Sequence, residues 1–423
     1  MRTIIQLCLL IAGMTLVGCG NQSIIEGQPA TDNGISEKEE LEVWHTYSEQ
    51  ETYVFENIII PLFEQDYPNI RIRSVRQSYN AQLKSTIIGR ASMNKPPDVV
   101  RMDIAWVPTL AKLQLLYPVS QFGDFEEVKE RLYEAPLEVS YYNGNYYGIP
   151  LNTNTKAAIY NRELLKRSGY DRPPETMKEL MDVIEKQQLT IAVQDVSPWE
   201  TLHYFYGLGG MLMDPSYTHA QGYLDSEESI NAVKKLLELH KKGHFAPHIL
   251  RGNANTWQGV VDGAYFMIDD GPWFYSVHSD DYIEHINERT VVAPFPISGG
   301  KRAILGGENL VISKGSKHPE AAWTFVKWMT EIRPQTYLAE TGLIPSNKNV
   351  DLSSIYGDKP YFKTYVESLE EVVVRPPVAQ WPKIEEVYIY YFRLIFSETM
   401  SVEEGLKEAA VKIDELLIEK EGK

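Results

Sequence analysis

Between Leu41 and Leu116 the hydrophobic period switches repeatedly between two and 3.6 residues, and this constrains the fold more than any other feature. Leu41-Glu42-Val43-Trp44 alternates as a short strand does. Glu51 to Gln65 sets Phe55, Ile58, Ile59, Leu62 and Phe63 at helical spacing, with Pro61 inside and Pro68 as the stop. Ile70 to Val75 alternates strictly, Ala81 to Ser92 reads as helix, and Pro96-Pro97 breaks it. Asp98 to Met102 is a buried strand, and Trp106 to Leu116 a short helix. Strand and helix in succession predict a parallel sheet covered on both faces.

The alternation continues. An extended run is expected over Thr155 to Tyr160, and Thr176-x-x-Glu179 fits a capping box after Pro173-Pro174. Ser226 caps a helix with Ile230, Val233, Leu236, Leu237 and His240 on one face; it closes in Lys241-Lys242-Gly243. Strands are expected over Gly263 to Met267 and Val291 to Phe295, with a turn at Asp269-Asp270-Gly271-Pro272. Pro319 opens a helix, and Ser401-x-x-Glu404 opens the last one.

A chain of 423 residues is too long for one ordinary core, so two or more domains are expected. Its net charge of -17 repels phosphate backbones, and without a basic patch nucleic acid is excluded as a partner. Cys8 and Cys19 are the only cysteines, which leaves no disulfide framework and no cysteine zinc site.

Arg2 followed by the mostly apolar Ile4 to Val17 reads as a signal peptide over residues 1–18, too short to be a comfortable membrane span. Leu16-Val17-Gly18-Cys19 resembles the lipobox of bacterial lipoproteins, which implies lipidation of Cys19 and a protein held at the extracytoplasmic face of the cell membrane. The polar, aperiodic stretch 19–40 then reads as a flexible tether.

Four later segments, in order, resemble the family 1 extracellular solute-binding proteins, the maltose-binding-protein-like receptors of ABC sugar importers. They are Tyr160 to Leu165 with Gly169 to Thr176, then Gly263 to Ile268 with Gly271-Pro272-Trp273. Gly306 to Lys314 with Glu320 to Trp323 follows, and then Gly342 to Ser346. Asp269-Asp270 departs from the family's usual turn, as does Pro61 from its first helix. The resemblance implies an α/β fold of the type II periplasmic-binding-protein kind. Its two α/β domains, 41–150 plus 296–330 and 151–295 plus 331–423, enclose a ligand cleft crossed by hinge segments. It also implies a monomer that captures a sugar by hinge closure and delivers it to ABC permease subunits, with no cofactor and no catalysis.

A sugar offers apolar C–H faces and a rim of hydroxyls, so its site needs flat rings with carboxylates and amides. In open α/β sheets such groups lie in the loops after strands. Trp44, His45 and Tyr47 follow the first strand, Gln77 and Tyr79 the second, and Asp103 and Trp106 the third. Trp199 and Glu200 are placed in a loop after Pro198, and Trp381 in the irregular Pro376 to Pro382. The resemblance adds Asn152 and Asn154 at the first crossing, Asp269 and Trp273 at the turn, and Glu308 after Gly306-Gly307.

Two other readings compete. Asp103 with Glu308, or Asp269 with Asp270, are the paired carboxylates a glycosidase would need. A surface adhesin would need no closed cleft, and a receptor for a non-sugar solute would share the fold. His240 and His244 have the i, i+4 spacing of a metal pair, but no third ligand accompanies them. Gly299-Gly300-Lys301 lacks the upstream Gly of a phosphate loop.

Overall fold

The computed structural model describes residues 38–252, 255–297 and 303–418, which form one compact unit. Cys19, the signal peptide, most of the tether and Gly299-Gly300-Lys301 lie outside the described residues.

Two sheets organise the unit. The larger uses β1 (Glu39–His45), β2 (Ile70–Arg76) and β3 (Val99–Asp103). A small hairpin, β4 (Tyr141–Tyr142) with β5 (Asn145–Tyr146), precedes β6 (Ile149–Thr155). The smaller sheet uses β7 (Ala157–Asn161), β8 (Ile191–Ala192), β9 (Met267–Asp270) and β10 (Thr290–Ala293) in the order β10-β7-β9-β8. The chain then returns to the larger sheet as β11 (Ala303–Ile312), β12 (Ile344–Pro345) and β13 (Val372–Val373). That sheet runs β12-β6-β11-β3-β1-β2, with β13 beside β11.

The expected parallel sheet is found only where strand and helix alternate. β1 pairs with β2 and β3 in parallel, whereas β11 meets β3 and β6 antiparallel. The sheet is therefore mixed. Both of its faces are buried along β3, β6 and β11, while the edge strand β2 leaves Arg71 and Arg73 exposed, as its alternation demands. Leu41, Val43 and Val99 pack on one core, with Phe55, Phe63 and Trp323, while Trp44, Val100 and Met102 pack on another, with Leu83 and Leu110. The smaller sheet packs against the helices Met177–Gln187, Pro198–Gly207 and Glu227–Lys241, and these meet the C-terminal pair Trp381–Phe396 and Val402–Ile418.

Local chemistry explains several element ends. The Ser226 side chain accepts from the Ser229 N–H, and Gly243 takes φ 78° just past the C-terminus of that helix. Thr176 caps its helix, but Glu179 returns its bond to the Glu175 N–H and pairs with Arg172, so the expected box is half formed. The first helix contains a π-helical turn, Phe55–Ile59, directly before Pro61. A proline cannot donate to the carbonyl one turn back, and the widened turn takes up that defect.

Three expected elements differ. Gly263 ends the helix Thr256–Asp262 at φ 81°, so the strand expected from Gly263 starts later, at Met267. Trp199 and Glu200 lie in the first turn of the helix Pro198–Gly207, because Pro198 serves as its opening residue rather than a break. Trp381 likewise opens a sixteen-residue helix.

Candidate functional site

β6 ends at Thr155 and β7 begins at Ala157, so Lys156 alone separates the two sheets on the outward crossing. The ends of β1, β2 and β3 and the start of the helix Pro198–Gly207 converge beside this crossing. They surround a cavity of about 970 Å³.

The floor is built on the alternation of β3. Arg101 and Asp103 point to the same side, two residues apart, and β11 places Glu308 opposite Asp103 while β6 places Asn152 opposite Glu308. A register shift between Glu308 and Asn309 marks a β-bulge there. Gly307, at φ 136°, makes the bulge possible, since a Cβ on it would stand 2.5 Å from the Asn152 carbonyl oxygen.

Arg101 is 4% exposed and fully engaged on one edge. It donates to Thr46 Oγ1 at 2.7 Å, to Asn152 Oδ1 at 3.0 Å and to Glu308 Oε2 at 3.0 Å, and lies over the Tyr47 ring. Asn152 donates to the same Glu308 oxygen at 2.6 Å. Burial pushes the Glu308 carboxyl above its ordinary range, against the pull of Arg101.

Asp103 is held by three donors: the Ala105 N–H at 2.7 Å, Arg375 at 2.9 Å and the Tyr79 hydroxyl at 2.9 Å. Tyr79 is 56% exposed, and its hydroxyl, facing the Asp103 charge, is held above the ordinary phenol range, so it stays protonated and donates. Tyr79 stacks on Trp106 with centroids 6.1 Å apart and planes at 12°.

The other wall carries a second aromatic pair. Trp199 and Trp273 stack with centroids 6.2 Å apart and planes at 29°. Gly306 leaves room for this, because a Cβ there would approach the Trp199 ring to 2.8 Å.

Of the residues singled out in the sequence, the cavity brings together Tyr47, Gln77, Tyr79, Asp103, Trp106, Asn154, Trp199, Trp273 and Glu308. The others sit elsewhere. Trp44 is inside β1, packed on Leu83 and Ile87, with its indole N–H on Glu42. His45 is buried beneath the floor; its Nδ1 accepts from the Tyr47 N–H, and its Nε2 lies 2.9 Å from Ser74 Oγ. Asn152 is wholly buried and serves Arg101 and Glu308. Glu200 and Asp269 turn inward to Lys156. Trp381 is 2% exposed and packs in the core of the C-terminal helices, because the residue that opens an amphipathic helix here falls on its apolar face. His240 and His244 each bond through Nδ1 to backbone carbonyls.

Sequence reasoning missed Arg76, Arg101, Arg375 and Glu385, all of which line the cavity. Arg101 carried a usable signal: a cation within a strand otherwise read as buried requires a buried partner. Arg375 had none, since its partners Asp103 and Trp199 are remote in sequence.

Residues 59–364 match the family model of the bacterial extracellular solute-binding proteins. The chain is 26% identical over 322 residues to the maltotriose-binding protein of Pyrococcus abyssi, an alignment spanning 72% of this chain and 65% of that protein. It is 21% identical over 355 residues to the arabinooligosaccharide-binding protein of Halalkalibacterium halodurans, covering 79% and 78% of the two chains. Among solved structures, the GacH receptor of Streptomyces glaucescens, determined without ligand and with acarbose, superposes with a TM-score of 0.77 at 24% identity, covering 90% of this chain and 99% of that one. Maltose-bound MalE3 of T. maritima gives 0.74 at 22% identity, over 89% and 99%. The fold is thus that of the maltose-binding-protein-like type II receptors, and the chain belongs to the bacterial extracellular solute-binding proteins.

Proposed function

We propose that this protein is the extracytoplasmic receptor of an ABC importer and that it captures an oligosaccharide between the Tyr79–Trp106 and Trp199–Trp273 pairs. The observation that carries this reading is the pairing of aromatic plates on both walls with a polar floor of nearly balanced charge. Three arginines, Arg76, Arg101 and Arg375, face four carboxylates, Glu51, Asp103, Glu308 and Glu385. Such a floor is within one charge of neutral and has little field to favour a strongly charged solute, so it suits a neutral molecule rich in hydroxyls. The cavity volume is at the upper end of the roughly 300–1,000 Å³ typical of small-ligand sites, which favours more than one sugar ring.

Catalysis fits poorly. Asp103 and Glu308 are cross-strand neighbours already engaged by Arg375, Tyr79, Arg101 and Asn152, and the named relatives are binding proteins. Calorimetric titration with maltotriose and arabino-oligosaccharides tests the receptor reading, with chromatography of the same mixtures. Binding without cleavage products supports it; cleavage products would sink it.

Closure follows from the crossings. The expected domains are 41–150 plus 296–330 and 151–295 plus 331–423. β6 remains in the larger sheet to Thr155, and β12 rejoins it at Ile344–Pro345. A ligand touching both walls shifts the opening equilibrium only through its extra affinity for the closed form. Scattering with and without saturating ligand should show a smaller radius of gyration when bound.

The proposed location is the outer face of the cell membrane, anchored by lipid on Cys19, with a permease as partner. No helix among the described residues is long and apolar enough to cross a membrane. Cys19→Ser should move the protein into the aqueous fraction; retention at the membrane would remove the lipid anchor.

A further inference from the structure

Lys156, the single residue between β6 and β7, is 1% exposed. Its ammonium donates to Asp269 Oδ2 at 2.8 Å and lies 3.0 Å from Glu200 Oε2. It also sits 5.3 Å from the centroid of the Trp199 ring, the residue next to Glu200 in the first turn of its helix. The hinge residue therefore reaches the aromatic wall of the cleft both directly and through a carboxylate.

We propose that Lys156 and Glu200 form a proton-sensitive tie that positions Trp199 against Trp273, so that the cleft's hold on a sugar weakens when Glu200 takes up a proton. The affinity part of this proposal rests on the sugar-receptor reading; the positioning part does not.

The charge count inside the cluster makes Glu200 the titrating member. The groups around it are Lys156 from the crossing, Asp269 and Asp270 from β9, and His203 and Tyr204 from its own helix, with the Arg375 guanidinium 5.5 Å from the centroid of the neighbouring Trp199 ring. One buried ammonium can balance one carboxylate. Asp269 has the stronger claim: it also accepts from the Tyr204 hydroxyl at 2.6 Å and lies 3.0 Å from His203 Nε2. Burial alone would raise the Asp269 carboxyl, but Lys156 and His203 together outweigh it and hold it below its usual range. Burial lowers the His203 imidazole, which stays neutral and adds no balancing charge. Asp270 is raised by burial, and its oxygens are taken by the Trp257 indole and the Gly271 N–H. Asp270 and Glu200 are both left beyond the one carboxylate that Lys156 balances, and Glu200 is the one that shares the Lys156 ammonium. Burial pushes it up to about 7, against the attraction of Lys156. Below that pH the ion pair with Lys156 is lost while the Lys156–Asp269 pair persists.

Tryptophan emission of the unliganded protein tests the tie. The Trp199 contribution is taken as the difference from Trp199→Phe, since the chain has eight tryptophans. Followed from roughly pH 5.5 to 8.5, it should change with a midpoint near neutrality in the wild type and stay flat in Glu200→Gln. Lys156→Met should also abolish the transition; if that variant does not fold, Lys156→Arg, which keeps the cation, should retain it. A wild type without a transition, or Glu200→Gln with an unchanged one, would overturn the proposal. With maltotriose as the probe, the wild-type dissociation constant should rise several-fold at the acid end and that of Glu200→Gln should not. An acid-end rise shared by Glu200→Gln would overturn the affinity part. If maltotriose binds at no pH, the reading of maltotriose as ligand fails, and the emission arm still decides the tie.

Discussion

Arg101 and Glu308 stand 3.0 Å apart at the floor of the cleft, on neighbouring antiparallel strands, with Asn152 bonded to both. The pair closes the base of the cavity and leaves one guanidinium edge against Thr46. Glu308→Ala would strand a buried cation. It should cost about 3–5 kcal/mol of folding stability, read from denaturant unfolding. Glu308→Gln keeps an acceptor for Asn152 and should cost less. Equal losses would show that the charge carries the whole contribution and the neutral acceptor none.

Two tryptophans should behave oppositely. Trp273 is half-buried at the cavity wall and stacks on Trp199. Trp273→Ala should weaken sugar binding by roughly one to two powers of ten, from about 1–3 kcal/mol of ring burial, with little change in the melting temperature of the free protein. Trp381 is a core ring. Trp381→Ala should cost about 3–5 kcal/mol of stability and leave the dissociation constant of the folded fraction unchanged. Calorimetry paired with thermal unfolding separates the two, and a stability loss at Trp273 without an affinity loss would assign it to packing.

Asp103 already accepts from Ala105, Arg375 and Tyr79, so at most one of its acceptor positions is free for a ligand hydroxyl. Asp103→Asn keeps the shape and removes the charge. A loss of about 1.5–3 kcal/mol in binding is expected, the range for a hydrogen bond to a charged group. Titration of the variant with the same sugar gives the number directly, and an unchanged affinity would reduce Asp103 to a support for Arg375 and Tyr79.

His45 predicts acid sensitivity. Its burial, reinforced by Arg101 and Arg76, lowers the imidazole from 6.5 to about 4. The unfolded chain therefore binds the proton first, and stability falls as pH drops from about 6.5 towards 4. The loss should be on the order of 3 kcal/mol at the acid end. His45→Gln should flatten that part of a stability-versus-pH curve. The same slope in the variant would move the cause to other groups, such as His203, whose imidazole burial also lowers.

The strand–helix order of the first hundred described residues was legible because each element there has its own hydrophobic period. The antiparallel half of the larger sheet was not, since β6 and β11 are buried on both faces and carry no alternation to announce direction or partner. Pro198 and Pro382 read as breaks but lie in first turns, where a missing N–H costs nothing. Within the site, Tyr79, Asp103 and Trp106 were found by their position after strands and Trp273 through the family resemblance, and all four reach the cavity. Trp44 and His45 failed because β1 runs on through His45 and buries the two side chains on opposite faces of the sheet, Trp44 against Leu83 and His45 against Phe55. Arg375 is a matter of tertiary approach, which no local pattern encodes.

The one-residue joint at Lys156 has a thermodynamic consequence for capture. Since β6 passes into β7 with no slack, the second wall never diffuses away once a ligand has settled on the first. Engaging it is an intramolecular event at high effective concentration, free of the translational penalty that two separate proteins would meet. Two weak surfaces joined in this way can hold a flexible, water-loving solute that neither would retain alone.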